Sequence, residues 1–272
     1  MQTTIQVAPK PLTATAREDA RVARWLFAVT LAILPLSSPM FLSHFRAATS
    51  ATSSTPSVPA FFVIELVKVA LFSGLAVWAG ARAATEAGID APVVRALLRG
   101  DAAAAARAVK DALPISLVLG TLALATGAAI RAHVELTTIA QALTQPDDHG
   151  SPLVRLTGLF YGVGIELWFR WGVLSLATRA ASRRLGLAPE RAFLVGNALA
   201  ALSFGVFAIP SVWGPHAGAP GASRYLAEAL VGYGLPSFFN GAGVRRFGFV
   251  SAVLAMVTAQ VLGAVLRGVL GG

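Results

Sequence analysis

The stretch Phe160-Tyr-Gly-Val-Gly-Ile-Glu-Leu-Trp-Phe-Arg-Trp-Gly172 places a carboxylate, Glu166, and a guanidinium, Arg170, inside an apolar run. Residues four apart share one face of a helix. In hydrocarbon both charges are costly, so they are expected to face a bundle interior and find partners there. The reading that follows is all-α: a polytopic transmembrane helix bundle with ionisable groups near its centre.

The rest of the chain agrees. Of its 272 residues, 56% are hydrophobic and only 13% charged, with mean hydropathy +0.68. Soluble domains carry about 25% charged residues. The apolar residues come in runs of about twenty, enough to cross roughly 30 Å of bilayer core. Net charge is +9 and the pI about 11.2. The basic residues lie in short connections, where they set orientation and meet anionic lipid, without the basic-aromatic interleaving of a nucleic-acid surface. With no cysteine, disulfides, thiolate metal sites and cysteine nucleophiles are excluded.

Seven spans are expected. Residues 1–24 form a polar tail, of which 1–20 read as disordered or surface-bound, without a signal-peptide pattern. Residues 25–266 form a single transmembrane helical domain. Its spans are about 25–43 (with Pro35 and Pro39 as kinks), 60–81, 112–130, 153–178, 192–209, 225–240 and 247–266. The sixth is the shortest, interrupted by Glu228, Pro236 and Asn240, and a re-entrant form of it would move the chain end across the membrane. A Ser/Thr/Pro loop covers 46–59, and a Gly/Pro-rich loop covers 211–223. The alanine-rich stretch 101–109 reads as a surface helix within the connection 82–111. Connections after spans 2, 4 and 6 and the stretch before span 1 are arginine-rich. The positive-inside rule therefore puts the protein in the cell membrane with its N-terminus cytoplasmic.

Glu166 and Arg170 have two readings. In one, Glu166 polarises water or a substrate group while Arg170 holds it. In the other, the pair is a buried structural lock. Glu65 and Lys68 form a second pair in span 2. Glu228 and Gln260 are candidates to complete a polar cluster with span 4. Gly158 and Gly162 give one small-xxx-small face. His133 and Glu135, two apart, do not share a helix face, and His44, His149 and His216 fall in or beside loops, so no metal site is expected.

The arrangement resembles the CAAX protease and bacteriocin-processing family of intramembrane metalloproteases, also called CPBP or Abi. The first family motif is Glu-Glu-x-x-x-Arg. Glu166 takes the second glutamate and Arg170 the arginine, while Ile165 stands where the family places the glutamate that activates water. The second motif, Phe-x-x-x-His, matches Phe204 to Pro210, with Ala208 at the histidine. In the third, Met256 takes the histidine position and Gln260 the amide or acid position. The CPBP-like core covers 153–266. The resemblance implies a site built on Glu166 and Arg170 beside a substrate or partner cavity lined by Glu65, Lys68, Trp168, Phe204, Ala208, Glu228, Met256 and Gln260.

The departures shape the functional expectation. Isoleucine, alanine and methionine neither act as a general base nor hold a metal. Spans 5 and 7 contain no histidine at any register. The expectation is a pseudoenzyme: a non-catalytic binding or scaffold homologue without a cofactor. Its partners would be the bilayer and a membrane peptide, a lipidated chain end or a partner helix, and no nucleic acid. Two alternatives stand beside it. One is an active endopeptidase, with zinc or another divalent ion, processing prenylated or leader-bearing peptides. The other is a small transporter using the intramembrane charge pairs.

Overall fold

A computed structural model describes residues 12–36, 58–144, 159, 161–212, 218 and 220–270. The described residues are helical, with no strand among them. The helices are α1 (Leu12–Leu36), α2 (Val58–Ala87), α3 (Pro92–Leu98), α4 (Ala102–Glu135) and α5 (Ile139–Thr144). They continue with α6 (161–185), α7 (Pro189–Val212), α8 (222–242), α9 (Val244–Phe247) and α10 (Phe249–Leu270). Two of them change type midway. α6 is a π-helix over Leu167–Val173, and α8 is one over Glu228–Tyr233.

Among the described residues, four helices are long and apolar enough to cross a membrane: Val67–Ala87, Ala102–Glu135, Pro189–Pro210 and Phe249–Leu270. In hydrocarbon a helix is one of two ways to satisfy every backbone group within the chain. Circularly, α6 packs on α7, α7 on α8, α8 on α4, α4 on α10, and α10 again on α6, with α2 and then α1 stacked outside α6. Small residues let these helices approach closely. A Cβ added at Gly120 of α4 would stand 2.7 Å from Thr258 Cβ of α10. Ser116 of α4 donates to the Ser251 carbonyl of α10 at 3.1 Å.

Two expectations change here. The polar tail is not unstructured throughout, because α1 begins at Leu12. The connection 82–111 is not a loop bearing a separate surface helix. Asp101 caps the Ala104 N–H at 2.8 Å, and alanine-rich sequence then runs unbroken into the span, giving one helix of 34 residues. The Pro39 kink, the Ser/Thr/Pro loop over 46–57, and His44, His149 and His216 lie outside the described residues, as do parts of the fourth span and of the Gly/Pro loop.

The early start of α1 has an electrostatic cause. Glu18 and Asp19 reach the arginines of the connection that follows α2. Arg95 pairs with Asp19, with Asp90 at 2.6 Å and with Glu18 at 3.6 Å, and Arg99 meets Glu18 at 2.5 Å. Burial disfavours charge on Arg95, but its hydrogen bonds to Asp19 and Asp90 outweigh that and hold the guanidinium above its ordinary range. Glu86 pairs with Arg179 and Arg183, each at 2.8 Å, and Glu190 with Arg245 at 2.6 Å. These pairs tie one end of the bundle together. Arg95→Ala should cost about 2 kcal/mol, between exposed and buried pairs. Limited proteolysis should then cut within residues 12–24 faster than in the parent protein.

Candidate functional site

Glu166 and Arg170 meet as the spacing predicts, with Arg170 Nε donating to Glu166 Oε2 at 3.0 Å. The arginine side chain is 1% exposed and the glutamate 8%. Arg170 stands within the π-helical turn of α6, and Glu166 is the α-helical residue just before that turn. Wider turns of this kind are often found at functional sites.

Three residues complete the cluster, and the sequence did not single them out as partners. Asn240 of α8 donates to Glu166 Oε1 at 3.3 Å. Arg170 Nη1 donates to Asn197 Oδ1 of α7 at 3.4 Å. Arg170 Nη2 donates to Ser237 Oγ of α8 at 2.5 Å and also to the Ser237 carbonyl. Asn197 Nδ2 in turn donates to the Phe238 carbonyl at 2.9 Å. One guanidinium therefore joins α6, α7 and α8, using the forked donor geometry lysine lacks. Gly241 makes room for this. A Cβ there would collide with Asn197 Oδ1 and stand 3.0 Å from Arg170 Nη1.

Trp168 and Phe204 lie in an aromatic wall beside the cluster. Trp168 Nε1 donates to Ser73 Oγ of α2 at 2.7 Å. Its ring contacts Phe72, Tyr161 and Phe207. Phe204 packs on Phe169 with centroids 5.2 Å apart and on Tyr233 at 6.1 Å. Ala208 is buried one turn farther along α7. Met256 is buried against Gly162, where an added Cβ would come 2.8 Å from its sulfur. Gly158, the other half of that small-residue face, lies outside the described residues.

Glu228 and Gln260 do not join the pair. Glu228 is buried in α8 but lies 3.7 Å from Arg131 of α4. Gln260 is exposed on the outer surface of α10. At 100° per residue the Gln260 side chain is rotated away from Met256, enough to leave the interior face. Lys68 is half-buried on α2, and the Glu65 side chain lies outside the described residues.

Both carboxylate oxygens of Glu166 are engaged, one by Arg170 and one by Asn240. An apolar cavity of about 210 Å³ between α1, α3, α6 and α10 is lined by Val163 and Leu167, neighbours of Glu166 on α6, but not by Glu166 itself. Among the described residues no three His, Cys, Asp or Glu side chains gather as metal ligands, and His133 is exposed. What the cluster does chemically is neutralise and hydrogen-bond a buried charge. No protein-family model, curated protein or solved structure matches this chain. By its architecture the chain is a multi-pass, all-α membrane protein.

Proposed function

We propose that this chain is a non-catalytic relative of the CAAX protease and bacteriocin-processing proteins, with seven spans and a cytoplasmic N-terminus. In this reading Glu166 and Arg170 have become a structural clamp. The protein acts as a scaffold in the bilayer, holding a membrane peptide, a lipidated chain end or a partner helix. The carrying observation is the burial of Glu166 with each of its two oxygens accepting, one from Arg170 and one from Asn240. A general base needs a free lone pair within reach of water. Each Glu166 oxygen keeps a second lone pair beyond the bond it accepts, but the carboxylate is buried and does not line the neighbouring apolar cavity, so water has no access to it there. Ile165, Ala208 and Met256 add no group that would replace it. The orientation rests on the arginine-rich end of the bundle, which the positive-inside rule assigns to the cytoplasm.

The test is turnover in lipid vesicles, with prenylated and leader-bearing peptides and added divalent ions. Wild type and Glu166→Gln should both leave the peptides intact. Hydrolysis by the wild type that chelation abolishes and Glu166→Gln lacks would overturn the reading.

A further inference from the structure

Gln260 is the twelfth of the 22 residues of α10. That places it about 16 Å along the helix from Phe249. A bilayer core is about 30 Å thick, so the amide sits near mid-depth. It is exposed, and it has no hydrogen-bond partner among the described residues. The other polar side chains of this helix up to Leu266 are accounted for. Ser251 is buried and bonded to the Gly248 carbonyl at 2.9 Å, and Thr258 packs against Gly120 of α4.

An unpaired amide in hydrocarbon is unfavourable. Lipid tails offer it nothing, and lipid carbonyls lie too far toward the interface. At mid-span the side chain is also too deep to reach water. Its partner must therefore be another transmembrane helix. An amide both donates and accepts, so it is complementary to an identical group across a twofold axis. Ala264 and Gly268, one and two turns on, are exposed on the same side. Their size permits the two backbones to come close around that contact.

We propose that two copies of this chain associate through α10, with the Gln260 amides hydrogen-bonded to each other at the bilayer centre. The interface is independent of the clamp around Glu166 and stands whether or not the chain is catalytic.

The absence of cysteine makes the test clean. In lipid vesicles, Ala264→Cys should form a disulfide dimer readily, whereas Leu122→Cys, exposed on α4, should not. Energy transfer between labelled copies should show self-association about tenfold weaker in Gln260→Leu, and largely kept in Gln260→Asn. Gln260→Leu puts an apolar side chain toward lipid, so it leaves folding intact and reports association alone. Cross-linking at 264 no faster than at 122, or self-association unchanged in Gln260→Leu, would overturn the proposal. So would a monomer at every protein-to-lipid ratio, which would point to a different partner helix.

Discussion

Arg170→Ala is expected to destabilise the protein by about 3–5 kcal/mol, the range for breaking a buried ion pair from one side. The loss exceeds one contact. Removing the guanidinium strands the Glu166 carboxylate in a dry interior and leaves Asn197 Oδ1 and Ser237 Oγ without the donor they share. Each abandoned buried acceptor adds its own desolvation cost. Arg170→Lys should recover only part of this, because one ammonium cannot span acceptors on three helices at once. Glu166→Gln should cost about 3 kcal/mol, the low end of the same range, since an amide oxygen still accepts from Arg170 Nε while the buried guanidinium loses its counter-charge. Reversible unfolding of the reconstituted protein reads all three. If Arg170→Ala unfolds within about 1 kcal/mol of the wild type, the clamp is not what holds these helices together.

This ordering also separates a clamp from a catalytic pair. A pair kept for chemistry sits in an accessible, pre-organised site, and its loss removes turnover with modest effect on stability. A pair kept for folding shows its cost in unfolding. Wild-type protein without turnover, together with a large loss in Arg170→Ala, is the combination expected here.

The helical class and the central pair were legible because both rest on local rules. Runs of about twenty apolar residues mark spans. Spacing of four puts Glu166 and Arg170 together, and the contact survives the change to π geometry. The partners of the pair were not legible. Asn197, Ser237 and Asn240 lie 27 or more positions from the groups they touch, and which face of α7 or α8 meets α6 is decided by packing. Nothing in the order of residues marks the wider turn at Leu167–Val173. Glu228 illustrates the same limit from the other side. It was expected near span 4, and it is buried, but α8 turns it toward Arg131 of α4. Gln260 is a candidate for the same cluster, and the resemblance places it at a motif position four residues after Met256. A separation of four leaves two side chains about 40° apart on a helix, which is enough to cross from interior to lipid at the edge of a packed face. The start of α1 was missed because its stabilising partners, Arg95 and Arg99, are more than seventy residues away.

Gly80→Ala is expected to be among the most damaging changes of a single methyl group, at about 3 kcal/mol, the upper end of overpacking costs. Gly80 of α2 faces Trp171 of α6. A Cβ there would stand 2.5 Å from the Trp171 backbone oxygen and 2.6 Å from its indole nitrogen. Trp171 is 1% exposed and belongs to the main apolar core with Val77, Leu174 and Phe249. Its ring cannot swing aside into solvent, and its backbone cannot move without the rest of α6. The next crossing point is as tight from the other side, where a Cβ at Gly172 would lie 2.8 Å from Ala76 Cβ. The two helices must therefore separate, and α6 carries Glu166 and Arg170 with it. Gly74→Ala on the same helix is the control. Its Cβ would meet Phe27 at an ordinary 3.6 Å, so better helix propensity should stabilise by about 0.5–1 kcal/mol. Unfolding of the two variants side by side should give opposite signs. A Gly80→Ala protein as stable as Gly74→Ala would mean that α2 and α6 are not held at this distance.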